Sequence, residues 1–498
     1  MSNTSKYDVG NGIHRVPLWR IGGYALNNTA TNLYMMMMGY VAYYLNGFVG
    51  MATILAGSFS MIMRIWDGVT DPFIGFAVDR TSTKFGKNRP FMVIGNIILC
   101  VTSFILFHVT HLLPENGVIR SVFFIVVSMV YYIGYTFQCV VTKSAQTCVT
   151  NDPKQRPLFA IFDGIYNTIV FALLGIWISG PLYEKYGTFF STGLFHDLWL
   201  LTAVASAICT VIAVISIAPK DKPKYFGTGK VQMVTFKDYW DVLKHNRAIQ
   251  MLVLSATTDK LGSSARTTTV TAVLYGVVCG NFALYGGFSA YTSIANIIIL
   301  ILGISLIATR LGQRKAMLVG SIGALIGNTL LVLLWIFGDP TTLALPGIKG
   351  FNGWTFFTVA LLGLTMITGG LQNLAGNIVI PMTADCADYE TYRSGKYVPG
   401  LMGTLFSFVD KLISSFAPMI ASLVFAMVGY ADKLPDASSP YSDGLKYAAI
   451  FLCYGVIMIG LVCNLIGMHF YPLTKEKMEE IHEEIAAIKA AYYAGEQA

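Results

Sequence analysis

Met61-Ile62-Met63-Arg64-Ile65-Trp66-Asp67-Gly68-Val69-Thr70-Asp71-Pro72-Phe73-Ile74-Gly75 sits within a hydrophobic run long enough to cross a bilayer, yet it carries three charges. In a helix, residues four apart share a face, and a residue three before lies beside them. Asp67, Asp71 and Arg64 therefore point the same way. A charge at the bilayer centre costs at least about 2.5–3.5 kcal/mol. Such groups normally face a bundle interior or a water-filled cavity and mark an ion or substrate pathway. A cation site is expected here, with Na+ one candidate at Asp67 and Asp71.

The surrounding chain fits that setting. It has 498 residues, of which 54% are hydrophobic and 12% charged. Soluble domains carry about 25% charged residues, so most of this chain must meet lipid or other apolar helices. The first 18 residues are polar and mixed, without the short apolar core and small-residue site of a cleaved leader, so the first span is expected to be retained. The eight cysteines show no CxxC or Cys/His metal spacing and read as small buried hydrophobes. No GxSxG or HExxH pattern occurs, which argues against an enzyme. The net charge of +7 is a topology signal rather than a nucleic-acid one.

Apolar runs bounded by charged or Gly/Pro/Asn clusters predict an all-α membrane protein of twelve helices. The expected spans are 19–45, 52–78, 90–112, 118–141, 158–180, 197–218, 248–278, 285–309, 314–338, 354–381, 398–428 and 445–471. Of 34 Lys and Arg, 25 fall in the N-terminus, the even-numbered loops and the C-terminal tail, counting residues at the span edges. Five fall in the odd-numbered loops, and Arg64, Lys260, Arg266 and Lys411 lie inside spans. Both termini are thus expected in the cytoplasm of a cell-membrane protein.

The long basic loop divides the chain into an N-terminal six-helix bundle (1–218), a cytoplasmic linker (219–247), a C-terminal six-helix bundle (248–472) and a cytoplasmic amphipathic tail (473–498). Thr83-Lys84-Phe85-Gly86-Lys87 follows the second span, and Thr309-Arg310-Leu311-Gly312-Gln313 follows the eighth, 226 residues on. Matching turns at matching places suggest two parallel repeats. In the tail, Ile481, Ile485 and Ile488 form the apolar side of a helix too acidic to favour a membrane surface.

Three motifs carry a family resemblance. The first is Asp71-Pro72-Phe73-Ile74-Gly75-Phe76-Ala77-Val78-Asp79-Arg80-Thr81, running into Lys84-Phe85-Gly86-Lys87-Asn88-Arg89-Pro90-Phe91. The second is Ala384-Asp385-Cys386-Ala387-Asp388-Tyr389-Glu390-Thr391-Tyr392-Arg393-Ser394-Gly395-Lys396, placed before span eleven, and the third is Tyr24 with Asn28 and Asn32. Together they resemble the glycoside–pentoside–hexuronide:cation symporters, the melibiose-permease group of the major facilitator superfamily. The resemblance implies cation-coupled sugar uptake by alternating access, with a binding cavity between two halves. It implies cation coordination by Asp67, Asp71 and Thr136, a cavity lysine at Lys411, and gating by Asp79 and Arg80. Departures are equally specific. Asn32 and Cys139 stand where melibiose permeases have sugar-binding carboxylates, Lys143 replaces an aromatic, Asp163 falls where many relatives have arginine, and Pro399 replaces an acidic residue.

The residues themselves leave several readings open. Thr70 and Thr136 supply neutral oxygens for Na+ or Li+, whereas a proton needs only a carboxylate. Tyr132, Thr136, Cys139 and Lys143 form one stripe of span four, and Asp163 and Asn167 pair on span five. These read as substrate-lining faces or as a Lys143–Asp163 salt bridge. Tyr24, Asn28 and Asn32 offer a sugar an aromatic ring with paired donors and acceptors, and otherwise pack helices. Gln372, Asn373 and Asn377 share that ambiguity on span ten. Arg64 and Arg89 join Asp79 and Arg80 as candidate gating charges. Asp259, Lys260, Arg266 and Asp410 have no assigned role. The expected partners are a sugar or glycoside, a coupling cation (Na+ or H+) and lipid, with no cofactor, no nucleic acid and a monomeric state. Rival readings are a sodium-coupled lysolipid symporter and a uronide-specific carrier.

Overall fold

The computed structural model describes the chain except residues 1–7, 10–12, 82, 151–154, 223–242, 304–305, 308, 395–398, 482 and 485–498. It divides into two compact units, Met1–Val231 with Gly429–Leu434, and Gln232–Val428 with Pro435–Ala498. A two-residue antiparallel pair (β1, Asp8–Val9; β2, Ile13–His14) precedes the helices.

Unit 1 holds α1 (Leu18–Met38), α2 (Thr53–Arg80), α3 (Arg89–Phe104), α4 (Gly117–Ser144), α5 (Arg156–Trp177) and α6 (Thr192–Ile217). Unit 2 holds α7 (Arg247–Ser264), α8 (Ala283–Gly303), α9 (Gln313–Phe337), α10 (Phe356–Ser394), α11 (Pro399–Ser414, continued by Ala417–Met427) and α12 (Val456–Phe470, preceded by Asp443–Ile450). Each helix falls on a segment expected from the apolar runs. Local signals explain several starts. Asn116 and Asn246 cap α4 and α7 with their side chains, and prolines open α3 and α5.

Among the described residues, nine helices are long and apolar enough to cross a membrane. Those that fall short are α1, α2 and α7, where polar side chains dilute the apolar run. On α2, Ile62, Ile65, Val69 and Phe73 are exposed while Asp67 is fully buried. The charged face turns inward and the apolar face outward, as a lipid solvent requires.

Helix pairing repeats between the units. In unit 1, α1 packs on α6, α5 and α4, α4 packs on α2 and α3, and α3 packs on α6. In unit 2, α7 packs on α12, α11 and α10, α10 packs on α8 and α9, and α9 packs on α12. Each of these six pairings of unit 1 recurs six helices later in unit 2. The two matched turns agree in backbone as well. Gly86 (φ +102°) and Gly312 (φ +85°) both adopt the left-handed conformation that favours glycine.

Two expectations are corrected. Helix α10 does not stop at 381 but runs through Pro381 to Ser394, so most of the motif read as preceding span eleven is helical. The segment Gly429–Leu434 belongs to unit 1, where Asn46 donates to the Asp432 carbonyl (2.8 Å) and accepts from the Leu434 amide (2.9 Å). Residues 475–481 are helical, and Met478 and Ile481 are buried in the unit 2 core with Tyr471 and Leu473. Ile485 and Ile488 lie outside the described residues.

Candidate functional site

Four side chains from two helices of unit 1 meet around the α2 carboxylates. Asp67 and Asp71 share a face of α2, and α4 brings Thr136 to both. The Thr136 hydroxyl lies 2.8 Å from Asp67 Oδ1 and 3.1 Å from Asp71 Oδ1. Arg64 Nη1 donates to Asp67 Oδ2 at 3.2 Å. Its guanidinium lies 5.9 Å from the Tyr135 ring centre, with Tyr132 beside it. Asp67 is wholly buried, and Asp71 is half-buried.

Two chemical consequences follow. A hydroxyl carries one proton, so Thr136 cannot donate fully to both carboxylates at once. Its oxygen lone pairs and the two facing Oδ1 atoms instead offer a small positive ion a cluster of hard oxygens. Such a cluster suits a small monovalent cation or a proton. Thr70 contributes differently from Thr136, since its hydroxyl donates to the Trp66 and Asp67 carbonyls of its own helix. Arg64, grouped with the gating charges on sequence grounds, sits on the carboxylate pair itself.

A second polar cluster joins α1 to α5. Asn28 Nδ2 donates to Asp163 Oδ1 (2.7 Å), Asn167 Nδ2 donates to the same oxygen (3.1 Å), and Asn32 Nδ2 donates to Asn167 Oδ1 (2.9 Å). All four side chains are half-buried. Tyr24 stands apart from this ladder. It is buried, and its hydroxyl donates to the α4 carbonyls of Val141 (2.6 Å) and Thr142 (3.1 Å). Cys139 hydrogen-bonds with Tyr135. In unit 2, Asn373 is exposed and Lys411 half-buried. The side chains of Lys143, Asp79 and Arg80 lie outside the described residues.

Two features escaped the sequence reading. Asp221, just beyond α6, is buried and its carboxylate accepts the backbone amides of Lys87, Asn88 and Arg89, plus Asn88 Nδ2. Arg89 Nε adds an ion pair at 3.4 Å. The carboxylate thus caps the start of α3 and locks the motif turn, and a Cβ at Gly86 would collide with it. Arg89 therefore holds a structural partner within unit 1. The other feature is a buried network behind the α1 ladder. Asn27 donates to Gln138 O and Thr142 Oγ1, and Thr31 donates to Gln138 Oε1. Its signal was visible as polar residues on a neighbouring face of α1, but their partners lie over 100 residues away.

Comparison with known proteins agrees with this architecture. The family model described as MFS/sugar transport protein matches residues 23–475. The glucuronide carrier protein homolog of Escherichia coli (strain K12) is 24% identical over 473 residues, covering 94% of this chain and 95% of its own length. The isoprimeverose transporter of Lactiplantibacillus pentosus is 23% identical over 471 residues, covering 93% and 91%. Among solved structures, nucleoside transporter NupG aligns with TM-score 0.57 at 12% identity, over 90% of this chain and all of its own. A bacterial homologue of the iron transporter ferroportin, in its outward-facing state, aligns with TM-score 0.56 at 12% identity, over 91% and 99%. These structural likenesses bear on the fold alone. With the motifs, the repeated helix pairing and the family model in agreement, this chain belongs to the MFS/sugar transport family, among its cation–sugar symporters.

Proposed function

We propose that this protein is a secondary active transporter that couples entry of a monovalent cation, Na+ or H+, to uptake of a glycoside or related sugar by alternating access. The observation that carries the reading is the Asp67–Asp71–Thr136 cluster with Arg64 against it. Buried ion pairs contribute little net stability, so charged side chains gathered with a hydroxyl inside a membrane-length helix pair are better explained by an ion that comes and goes. The repeated pairing of helices supports two six-helix halves, 1–218 and 248–472 apart from the Gly429–Leu434 segment, and the bias of Lys and Arg supports a cytoplasmic linker and cytoplasmic termini.

Coupling requires cation and sugar to favour the same conformational transition. Each cation moving down the membrane potential contributes about 2.3 kcal/mol per 100 mV, enough for about fifty-fold accumulation. Asp163 in the α1–α5 ladder provides a charged acceptor for sugar hydroxyls and would repel an anionic ligand. This favours a neutral glycoside over a uronide. A relative named for a glucuronide keeps the uronide as the second reading.

Uptake of a panel of labelled sugars into energised vesicles tests the proposal, with Na+ replaced by choline across a range of pH. Accumulation of a glycoside that depends on Na+ or on a proton gradient is expected. Uptake indifferent to both, or preference for a lysolipid over every sugar, would refute it. Lys143→Gln then separates the substrates. Small, equal effects on a neutral glycoside and its uronide are expected, and selective loss of uronide transport would reverse the preference.

A further inference from the structure

Unit 2 contains a buried carboxylate that the proposed transport mechanism does not use. Asp259 lies in the middle of α7, only 7% exposed, and its Oδ1 has no hydrogen-bond partner. The Gln372 side chain of α10 lies near the carboxyl. Across from it, α12 passes with bare backbone, because Gly460 brings that helix so close that a Cβ there would lie 3.3 Å from the Asp259 Cα and collide with the Thr258 carbonyl.

The charged groups nearby do not neutralise it. Lys260, the next residue and the charge that acts on Asp259, is exposed and forms no salt bridge with it. Arg266, about two helical turns on, donates to the Cys453 carbonyl and stacks on Tyr454, 5.2 Å from the ring centre. On α11, Asp410 and Lys411 are half-buried, and on α12 the nearest titratable side chain in sequence to Gly460 is Cys463. A buried carboxyl with one orphan oxygen is costly as an anion and far less so as an acid.

The surroundings also discriminate between occupants. A metal cation needs several converging oxygens. Here the hydroxyls along α7 bond elsewhere: Thr257 donates to Val253 O, Thr258 to Leu254 O and Ser255 to Asn464 O. A proton requires none of those ligands. We propose that Asp259 is a proton-binding site of unit 2, separate from the Asp67–Asp71 pair of unit 1. Intramembrane carboxylates are among the stations of proton relays, and this one reversibly gains and loses one proton at its Oδ1.

Infrared difference spectroscopy on the purified full chain in lipid nanodiscs, titrated from mildly acidic to mildly alkaline pH, reads the carbonyl stretch of protonated carboxyls directly. A titrating band is expected in the wild type, lost in Asp259→Asn, shifted in frequency in Asp259→Glu, and kept in the double variant Asp67→Asn/Asp71→Asn. Monodisperse elution and unchanged far-ultraviolet dichroism establish folding. If Asp259→Asn fails that check, the frequency shift in Asp259→Glu decides the matter. A band that survives Asp259→Asn, or that Asp259→Glu leaves unmoved, would overturn the proposal, as would its loss in the double variant alone. The measurement needs no substrate, so its outcome is independent of whether a sugar is transported.

Discussion

Thr136→Val removes one hydroxyl from the centre of the carboxylate cluster while keeping the branched shape that packs α4 on α2. That hydroxyl lies 2.8 Å from Asp67 Oδ1 and 3.1 Å from Asp71 Oδ1. A hydrogen bond to a charged group contributes about 1.5–3 kcal/mol, and loss of a neutral oxygen from a cation's shell is of the same order. Cation affinity is therefore expected to fall about ten- to a hundred-fold. Removing the hydroxyl also leaves the two carboxylates facing each other without a bridging donor, which raises the preference for a proton over a metal ion. Thr136→Ser keeps the oxygen and should stay within about threefold of the wild type. The assay is equilibrium Na+ binding by calorimetry on protein in nanodiscs, paired with the Na+ concentration that half-saturates sugar accumulation. Affinities for Thr136→Val and Thr136→Ser that match each other and the wild type would refute the assignment of this hydroxyl to the ion site.

Three further outcomes are expected. Asp67→Asn or Asp71→Asn should abolish cation-dependent accumulation, because each removes a full negative charge from the ion's surroundings, while equilibrium exchange of sugar survives on contacts made elsewhere; concentrative uptake with unchanged cation dependence in both variants would show the site to be misassigned. Asp221→Ala orphans the amides that cap α3, at about 1–3 kcal/mol for each buried group left unsatisfied, so its thermal inactivation midpoint should drop clearly, and a midpoint equal to the wild type would contradict the capping role. Single cysteines at Lys84 and Pro440, both exposed, should react with an impermeant maleimide from opposite sides of right-side-out vesicles, Pro440 from outside; labelling of Lys84 from outside would invert the topology.

Much of this protein was legible in the chain because membrane residence writes strong local signals. Apolar runs, basic turns and the i, i+4 spacing of Asp67 and Asp71 depend only on residues close in sequence, and a bilayer penalises any other arrangement of them. The glycine of each matched turn was readable for the same reason, since its φ is a local requirement. Partner choice was not legible from spacing. Thr136 reaches Asp67 from 69 residues away and was joined to it only by the family resemblance, while Asp221 reaches Asn88 from 133 with no such guide. Helix packing, rather than spacing, selects such pairs. Tyr24 and Asn28 share a stretch of α1, yet packing turns the tyrosine to the carbonyls of α4 and the asparagine to Asp163 on α5. The extension of α10 through Pro381 and the burial of Met478 and Ile481 have the same origin. An amphipathic segment shows that it needs a surface, but only the assembled helices determine which surface is there.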